Sequence, residues 1–299
     1  MKSIWIGILT LAAAHCACAA DRFDIAITVD DLPVHGTLAQ GMTRLGIAEA
    51  HIATFKAHHV PEAFGFVNAR GIEREPGSEA VLDAWRKAGY PLGNHTYSHL
   101  NLDKAPTLEA WEADVIAGEP AVSTRMQGAD WRYLRFPNLS GGSDKSRHDG
   151  ARAFLEARGY RIADVSVSFD DFAYTDAYRR CVEKGDTQTI AAMKAQYLKG
   201  VDDNIARMKA VSQRVYGRVI PQVLLTHIGG WSAIMLPEVM AKLDAAGAHY
   251  VTLAQAQSDP AYAETDGGTV MSRAAAKKGI NISDIPAAQP KNNINLLCR

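Results

Sequence analysis

The 299-residue chain is 47% hydrophobic and carries 32 basic against 33 acidic side chains, enough apolar material for one domain of roughly 200–250 residues plus extensions. A formal net charge of −1 offers no electrostatic footprint for nucleic acid or an anionic membrane surface. Any polymer this protein meets is therefore expected to be neutral or mixed in charge.

The first twenty residues predict an export signal. Lys2 supplies the positive end, Ile4 to Ala14 is an apolar core too short to span a bilayer comfortably, and Ala17-Cys18-Ala19 has the small-x-small form of a cleavage site. The expectation is a signal peptide over 1–19 and a mature chain beginning near Ala20 or Asp21, periplasmic or secreted, with no membrane span. Cys16 and Cys18 leave with that signal, so Cys181 and Cys298 remain. In an oxidising compartment they are expected to form one disulfide tethering the C-terminal tail to the body of the domain.

Beyond the signal, strand-like and helix-like segments alternate. Asp24 to Val29 reads as a strand, Arg44 to His58 as a helix, Ala63 to Val67 as a strand and Ser78 to Ala88 as a helix. Helix Leu108 to Ala117, strand Tyr133 to Arg135, helix Asp149 to Arg158 and strand Arg161 to Val167 follow. Strand Gln222 to Thr226, helix Pro237 to Ala245 and strand His249 to Leu253 close the series. Three helices end alike, at Ala88-Gly89-Tyr90, Arg158-Gly159-Tyr160 and Ala246-Gly247-Ala248, where glycine accepts a left-handed cap before the chain enters a strand. This repetition predicts an α/β domain with parallel strands, without deciding between an open sheet and a barrel. Phe172 to Val215 reads as a helical insertion. Asp266 onward, rich in Gly, Ala, Asn and Lys, reads as a C-terminal tail, so the catalytic body is placed at 20–265.

The residues able to carry chemistry gather at strand ends, where β/α barrels place their sites. His95 and His99, in Gly-Asn-His-Thr-Tyr-Ser-His, have the spacing a divalent metal wants from one short segment. Adjacent Asp30 and Asp31 follow the first strand. One can bind the metal while the other accepts a proton from its water, provided a bend past the strand end aims both inward. Arg135, before Phe136-Pro137, can orient and ionise an aspartate. Either Asp170 or Asp171 can orient a histidine. His227, closing Val223-Leu224-Leu225-Thr226, has a side chain that titrates near neutrality and suits a general acid. Trp231, after Gly229-Gly230, is expected to stand near a sugar or acyl group. His35 is close in sequence to Asp30 and can line the cleft, but is assigned no ligand or catalytic role. No Gly-x-Ser-x-Gly elbow, phosphate loop or dinucleotide fingerprint is present.

In this order the residues resemble the polysaccharide deacetylases, the family-4 carbohydrate esterases. Val29-Asp30-Asp31, His95-Thr96-Tyr97-Ser98-His99, Arg135-Phe136-Pro137, Asp171-Phe172 and Leu225-Thr226-His227 match the five family motifs across Asp24 to Tyr262. The resemblance implies a distorted (β/α) barrel of about seven repeats. It implies one divalent metal on Asp31, His95 and His99, zinc first, with cobalt, nickel or manganese also fitting. It implies Asp30 as general base braced by Arg135, His227 as general acid tuned by Asp171, and Leu225 with Phe172 as an apolar slot for an acetyl methyl. The backbone N–H of Asn138 would serve an oxyanion hole. The chain departs from the pattern at Leu32-Pro33 (usually Gly after the aspartates), Asn138 (usually aromatic), Phe172 (usually Trp) and Ser168 (often Asp). The implied activity is removal of acetyl, N-acetyl before O-acetyl, from a glycan. The alternatives are an amidase acting on small cyclic amides or imides, and a silent glycan-binding domain.

Overall fold

The computed structural model describes residues 22–264, 267–287 and 293–299; the signal peptide expected over 1–19 lies outside them. The elements are β1 (Phe23–Leu32), α1 (Arg44–Ala57), β2 (Ala63–Val67), α2 (Arg70–Arg74), α3 (Glu79–Lys87), β3 (Leu92–Asn94), α4 (Leu108–Ser123) and β4 (Tyr133–Leu134). Then come α5 (Lys145–Ala157), β5 (Arg161–Ile162), β6 (Val167–Ser168), α6 (Thr175–Glu183), α7 (Thr187–Tyr216) and β7 (Gln222–His227). The chain continues with α8 (Gly230–Ala245), β8 (Ala248–Tyr250), α9 (Leu253–Gln257) and α10 (Val270–Lys277). Side chains of Thr43, Thr107, Asp144 and Asp186 start α1, α4, α5 and α7 by accepting a backbone N–H three residues on. At the three helix-to-strand junctions anticipated above, Gly89, Gly159 and Gly247 all have positive φ.

Every strand pairing is parallel. Seven strands run in the lateral order β5-β4-β3-β2-β1-β7-β6, and β8 pairs with the start of β1. β1 is therefore central, and its Ile25, Ala26, Ile27 and Val29 are buried on both faces. β5 and β6 lie at opposite edges of this order yet are joined by only 163–166. Five Cα steps reach at most ~18 Å, so the sheet has to curl until its edges nearly meet. The result is a distorted, open (β/α) half-barrel. At its seam Ala163 N–H donates to Leu134 O (2.8 Å) and Ser166 N–H to Val223 O (3.1 Å). Buried Asp164 meets Arg273 of α10 at 3.0 Å.

Several elements differ from expectation: α2 and α9 were not anticipated, and the strand expected over His249 to Leu253 is β8, Ala248–Tyr250, with Leu253 opening α9. β3 was not anticipated, because three residues around Gly93 carry no periodic signal. The single strand expected over 161–167 is two short strands on opposite edges. α8 begins at Gly230 and keeps Pro237 inside it, where the proline had been taken as the helix start. The tail is built into the fold: α10 lies against α7, and Val270, Met271 and Ala275 are buried. The 172–215 stretch is α6 and α7, the crossover between β6 and β7, and Cys181 of α6 is disulfide-bonded to Cys298.

Candidate metal and acid–base centre

The aspartate pair owes its geometry to a bulge. On a regular strand adjacent side chains point to opposite faces. In β1 the register to β2 shifts between Val29 and Leu32, and Asp31 sits at φ 67°, a left-handed conformation that aspartate tolerates better than most residues. The bend is thus inside the strand, before Leu32, and not past its end. It brings both carboxylates to one imidazole: His95 Nε2 is 3.6 Å from Asp30 Oδ2 and 3.5 Å from Asp31 Oδ1.

His95 and His99 follow β3 on an irregular loop with no helical turn. Thr96 and His99 have positive φ. Local polar contacts hold the loop: Thr96 N–H donates to Asn94 Oδ1, and the Ser98 hydroxyl and N–H both donate to Asp114. His95 is buried, and its Nδ1 donates to Arg135 O at 2.7 Å, which leaves Nε2 facing the aspartates. Burial pulls the His95 pKa down despite the opposing pull of Asp30 and Asp31, so the imidazole stays neutral with a lone pair to offer.

Asp31 Oδ1, His95 Nε2 and His99 Nε2 converge, with His99 Nε2 3.6 Å from Asp31 Oδ1 and one ligand atom from each residue within 4.8 Å of the others. Asp31 Oδ1 is buried with no hydrogen-bond partner among the described residues. A buried anionic oxygen without a donor is costly, and a cation between it and the two imidazole nitrogens would satisfy it. The donor set, two N and one O, fits a divalent transition metal with room left for water. Burial opposes ionisation of Asp31, but the hydrogen bond and charge of His35, with His95 and His227, hold its carboxyl well below the usual carboxylate range.

Arg135 fixes Asp30. Its side chain is fully buried; Nη1 donates to both carboxylate oxygens of Asp30 (3.1 and 3.3 Å), Nη2 to Thr28 Oγ1 (3.0 Å) and Nε to Ala163 O (2.7 Å). The guanidinium lies over the Phe66 ring at 4.7 Å. All three nitrogens and one ring-facing side of the cation are engaged, so its position is set by the seam and the barrel core together.

His227 closes β7 in register with Asp30. Of the two aspartates left open above, Asp171 is the one that holds it. Its Oδ1 accepts from His227 Nδ1 (2.9 Å), and its Oδ2 accepts from His227 N–H and from Thr226 Oγ1 (both 2.7 Å). Burial alone would depress the imidazole pKa. The Asp171 charge and hydrogen bond, with Asp31 and Asp30, more than offset this and raise it to about 9.

Around this centre, Phe172 is half exposed with its ring 5.3 Å from that of His227. Leu225 lies two residues before His227 on the same strand face, between Thr28 and Ser168. Asn138 is exposed in a left-handed conformation after Pro137, and its Oδ1 accepts from Asn101. Trp231 does not reach a substrate. It is fully buried in α8, stacked on Tyr174 at 4.9 Å, with Tyr178 and Tyr197 at its edges. The helix begins at Gly230 and turns this ring into the core. His35, left without a role in the sequence reading, touches the centre directly: Nδ1 is 2.7 Å from Asp31 Oδ2. The available signal was its position four residues after Asp31.

Residues 19–163 match the family model described as polysaccharide deacetylase. No curated protein matches the chain. Among solved structures it is similar to the chitin deacetylase of the fungal pathogen Colletotrichum lindemuthianum, with 17% identity, a TM-score of 0.54, and 80% of this chain and 89% of that one covered. It is also similar to a Streptococcus mutans family-4 carbohydrate esterase, at 17% identity and TM-score 0.52 over 78% and 87% of the two chains. A third likeness is a mutant of a Bacillus anthracis pseudoenzyme of that family with restored enzymatic activity, at 17% identity and TM-score 0.50 over 79% and 68%. At such identities the structural likeness speaks for the half-barrel alone. Over residues 19–163 the chain thus matches the polysaccharide deacetylase family model, and the half-barrel agrees with that match.

Proposed function

We propose that this protein is an exported, metal-dependent deacetylase that hydrolyses acetyl groups from a carbohydrate polymer or oligomer, N-acetyl in preference to O-acetyl. The observation that carries the reading is the pairing of two proton-transfer groups in register across β1 and β7, Asp30 and His227, beside the Asp31–His95–His99 cluster. Held by those three ligands, a divalent ion, zinc before cobalt, nickel or manganese, would polarise the acetyl carbonyl and acidify a water. Asp30, aimed by two hydrogen bonds from Arg135, takes the proton from the attacking water. The backbone N–H of Asn138 donates to the developing oxyanion. His227, protonated and held by Asp171, then gives its proton to the leaving amine. One water is consumed; acetate and the free amine leave. Phe172, half exposed beside His227, and Leu225 beneath it supply an apolar slot for the acetyl methyl.

A silent binding domain is disfavoured because ligands, base and acid are all present. Export rests on Lys2, the apolar core Ile4–Ala14 and Ala17-Cys18-Ala19, and it suits the Cys181–Cys298 disulfide. No helix among the described residues is long and apolar enough to cross a membrane. The test is acetate release from parallel panels of N-acetylated oligosaccharides and O-acetylated glycans. Release from the first above the second supports the reading; no acetate from either panel, together with ring-opening hydrolysis of a small cyclic amide or imide, would replace it with an amidase.

A further inference from the structure

His35 sits where the site and the loop after β1 meet. Its ring lies between Asp31, whose Oδ2 is 2.7 Å from Nδ1, and His227, whose ring centroid is 4.9 Å away at 40°. This placement is built into the fold. Arg44, at the start of α1, donates to His35 O (3.1 Å) and Gly36 O (2.7 Å) while its guanidinium grips Glu75 with two bonds of 2.7 Å. On the opposite side the ring presses against a backbone that has to be glycine: a Cβ on Gly229 would stand 2.9 Å from His35 Cδ2. Gly36, at φ 62°, turns the chain away under Thr175, where a Cβ would meet Cγ2 at 2.7 Å.

Resting on the metal-centre reading above, we propose that His35 is a positioning residue for the metal. It donates from Nδ1 to Asp31 Oδ2, so that Oδ1 alone is presented between His95 and His99, and its ring walls in His227. The two oxygens of Asp31 are in fact divided this way: Oδ2 has His35, and Oδ1 is buried with no hydrogen-bond donor among the described residues. An outer partner of this kind fixes the orientation of a ligand and raises its affinity for the ion. It stands where Leu32-Pro33 replaces the glycine usual after the aspartates, so the changed loop supplies the partner.

The experiment is zinc affinity of the intact protein, by competition with a chromophoric chelator, for the wild type, His35→Phe and His35→Asn. Phenylalanine keeps a ring beside His227 and removes the donor; asparagine restores an amide N–H close to the place of Nδ1–H. Loss of affinity by about 10- to 100-fold in His35→Phe, largely recovered in His35→Asn, with unchanged melting temperature of all three metal-stripped proteins, is the expected result. Wild-type affinity in His35→Phe overturns the inference and leaves the metal centre standing. Equal weakening in both variants, with a lowered metal-stripped melting temperature, overturns it in favour of a packing role. A wild type that binds no zinc overturns the metal centre and this inference together.

Discussion

Asp30 and His227 are asked to hold opposite charges at one pH, and their surroundings supply the means. Asp30 is buried against the Arg135 guanidinium, while the partly buried His227 lies against a carboxylate that accepts three hydrogen bonds. Replacing Asp30 by Asn removes the proton acceptor and spares Asp31, His95 and His99. Acetate release is expected to fall by about 10²- to 10⁴-fold with bound zinc still one per chain, measured by turnover and metal analysis on the same sample. Full activity in that variant would remove Asp30 from the base role. His227 in the metal-stripped protein should titrate near 9, read from its ring protons by NMR. Because that folded value is raised above 6.5, its contribution to stability is complete below 6.5 and disappears as pH rises through about 9. In Asp171→Asn the burial remains and the largest opposing charge is gone, so the imidazole should titrate well below its wild-type value. A bound dication beside Asp31 repels imidazolium, so the alkaline limb of the rate profile should lie below the metal-stripped value. The identities of these residues were legible because spacing and residue type carry them. Residue type and spacing left Asp170 and Asp171 open; the resemblance named Asp171, and the geometry agrees. His35 was given no role because a histidine four residues beyond an aspartate is only a weak signal until the loop is seen to fold back.

Elements decide which of those residues can meet. The alternation of strands and helices was readable from the repeated helix-Gly-strand junctions, but the bulge in β1 was not. No residue type announces that Asp31 takes a left-handed conformation, and without it Asp30 and Asp31 would face apart. β3 is three residues long and gave no period, although it launches the loop that carries both histidines. Pro237 misled in the other direction: the helix starts seven residues earlier, and this rotates Trp231 from the expected sugar contact into a stack of aromatics. Trp231→Ala should therefore act on stability. A loss of about 3–5 kcal/mol by denaturant titration is expected for a fully buried Trp, with KM for an acetylated oligosaccharide unchanged at a temperature where the variant is folded. A KM raised several-fold with stability intact would restore the sugar-contact expectation.

At the scale of the whole molecule, the curled sheet and its seam hold the centre together. The short link 163–166 draws opposite sheet edges together, Arg135 reaches across to Ala163, and Arg273 from the C-terminal segment neutralises Asp164 at the same seam. The Cys181–Cys298 disulfide, across 117 residues, anchors that segment's end to α6. Its reduction should lower the melting temperature, with a ceiling on the order of 4–5 kcal/mol for so long a loop. Zinc affinity should be unchanged, because no ligand lies on α6 or beyond β7. The integration of the tail was hidden from the sequence, since its apolar positions are few and become meaningful only against α7. The central claim is that three side chains from β1 and the loop after β3 hold an ion on which acetyl hydrolysis depends. It is tested most directly by acetate release from an N-acetylglucosamine oligomer after the metal is stripped by chelator and after zinc is restored at one per chain. Activity that vanishes on stripping and returns with zinc is the predicted result; acetate release that persists in the stripped protein, or its absence from the zinc-loaded protein on every acetylated glycan, would contradict it.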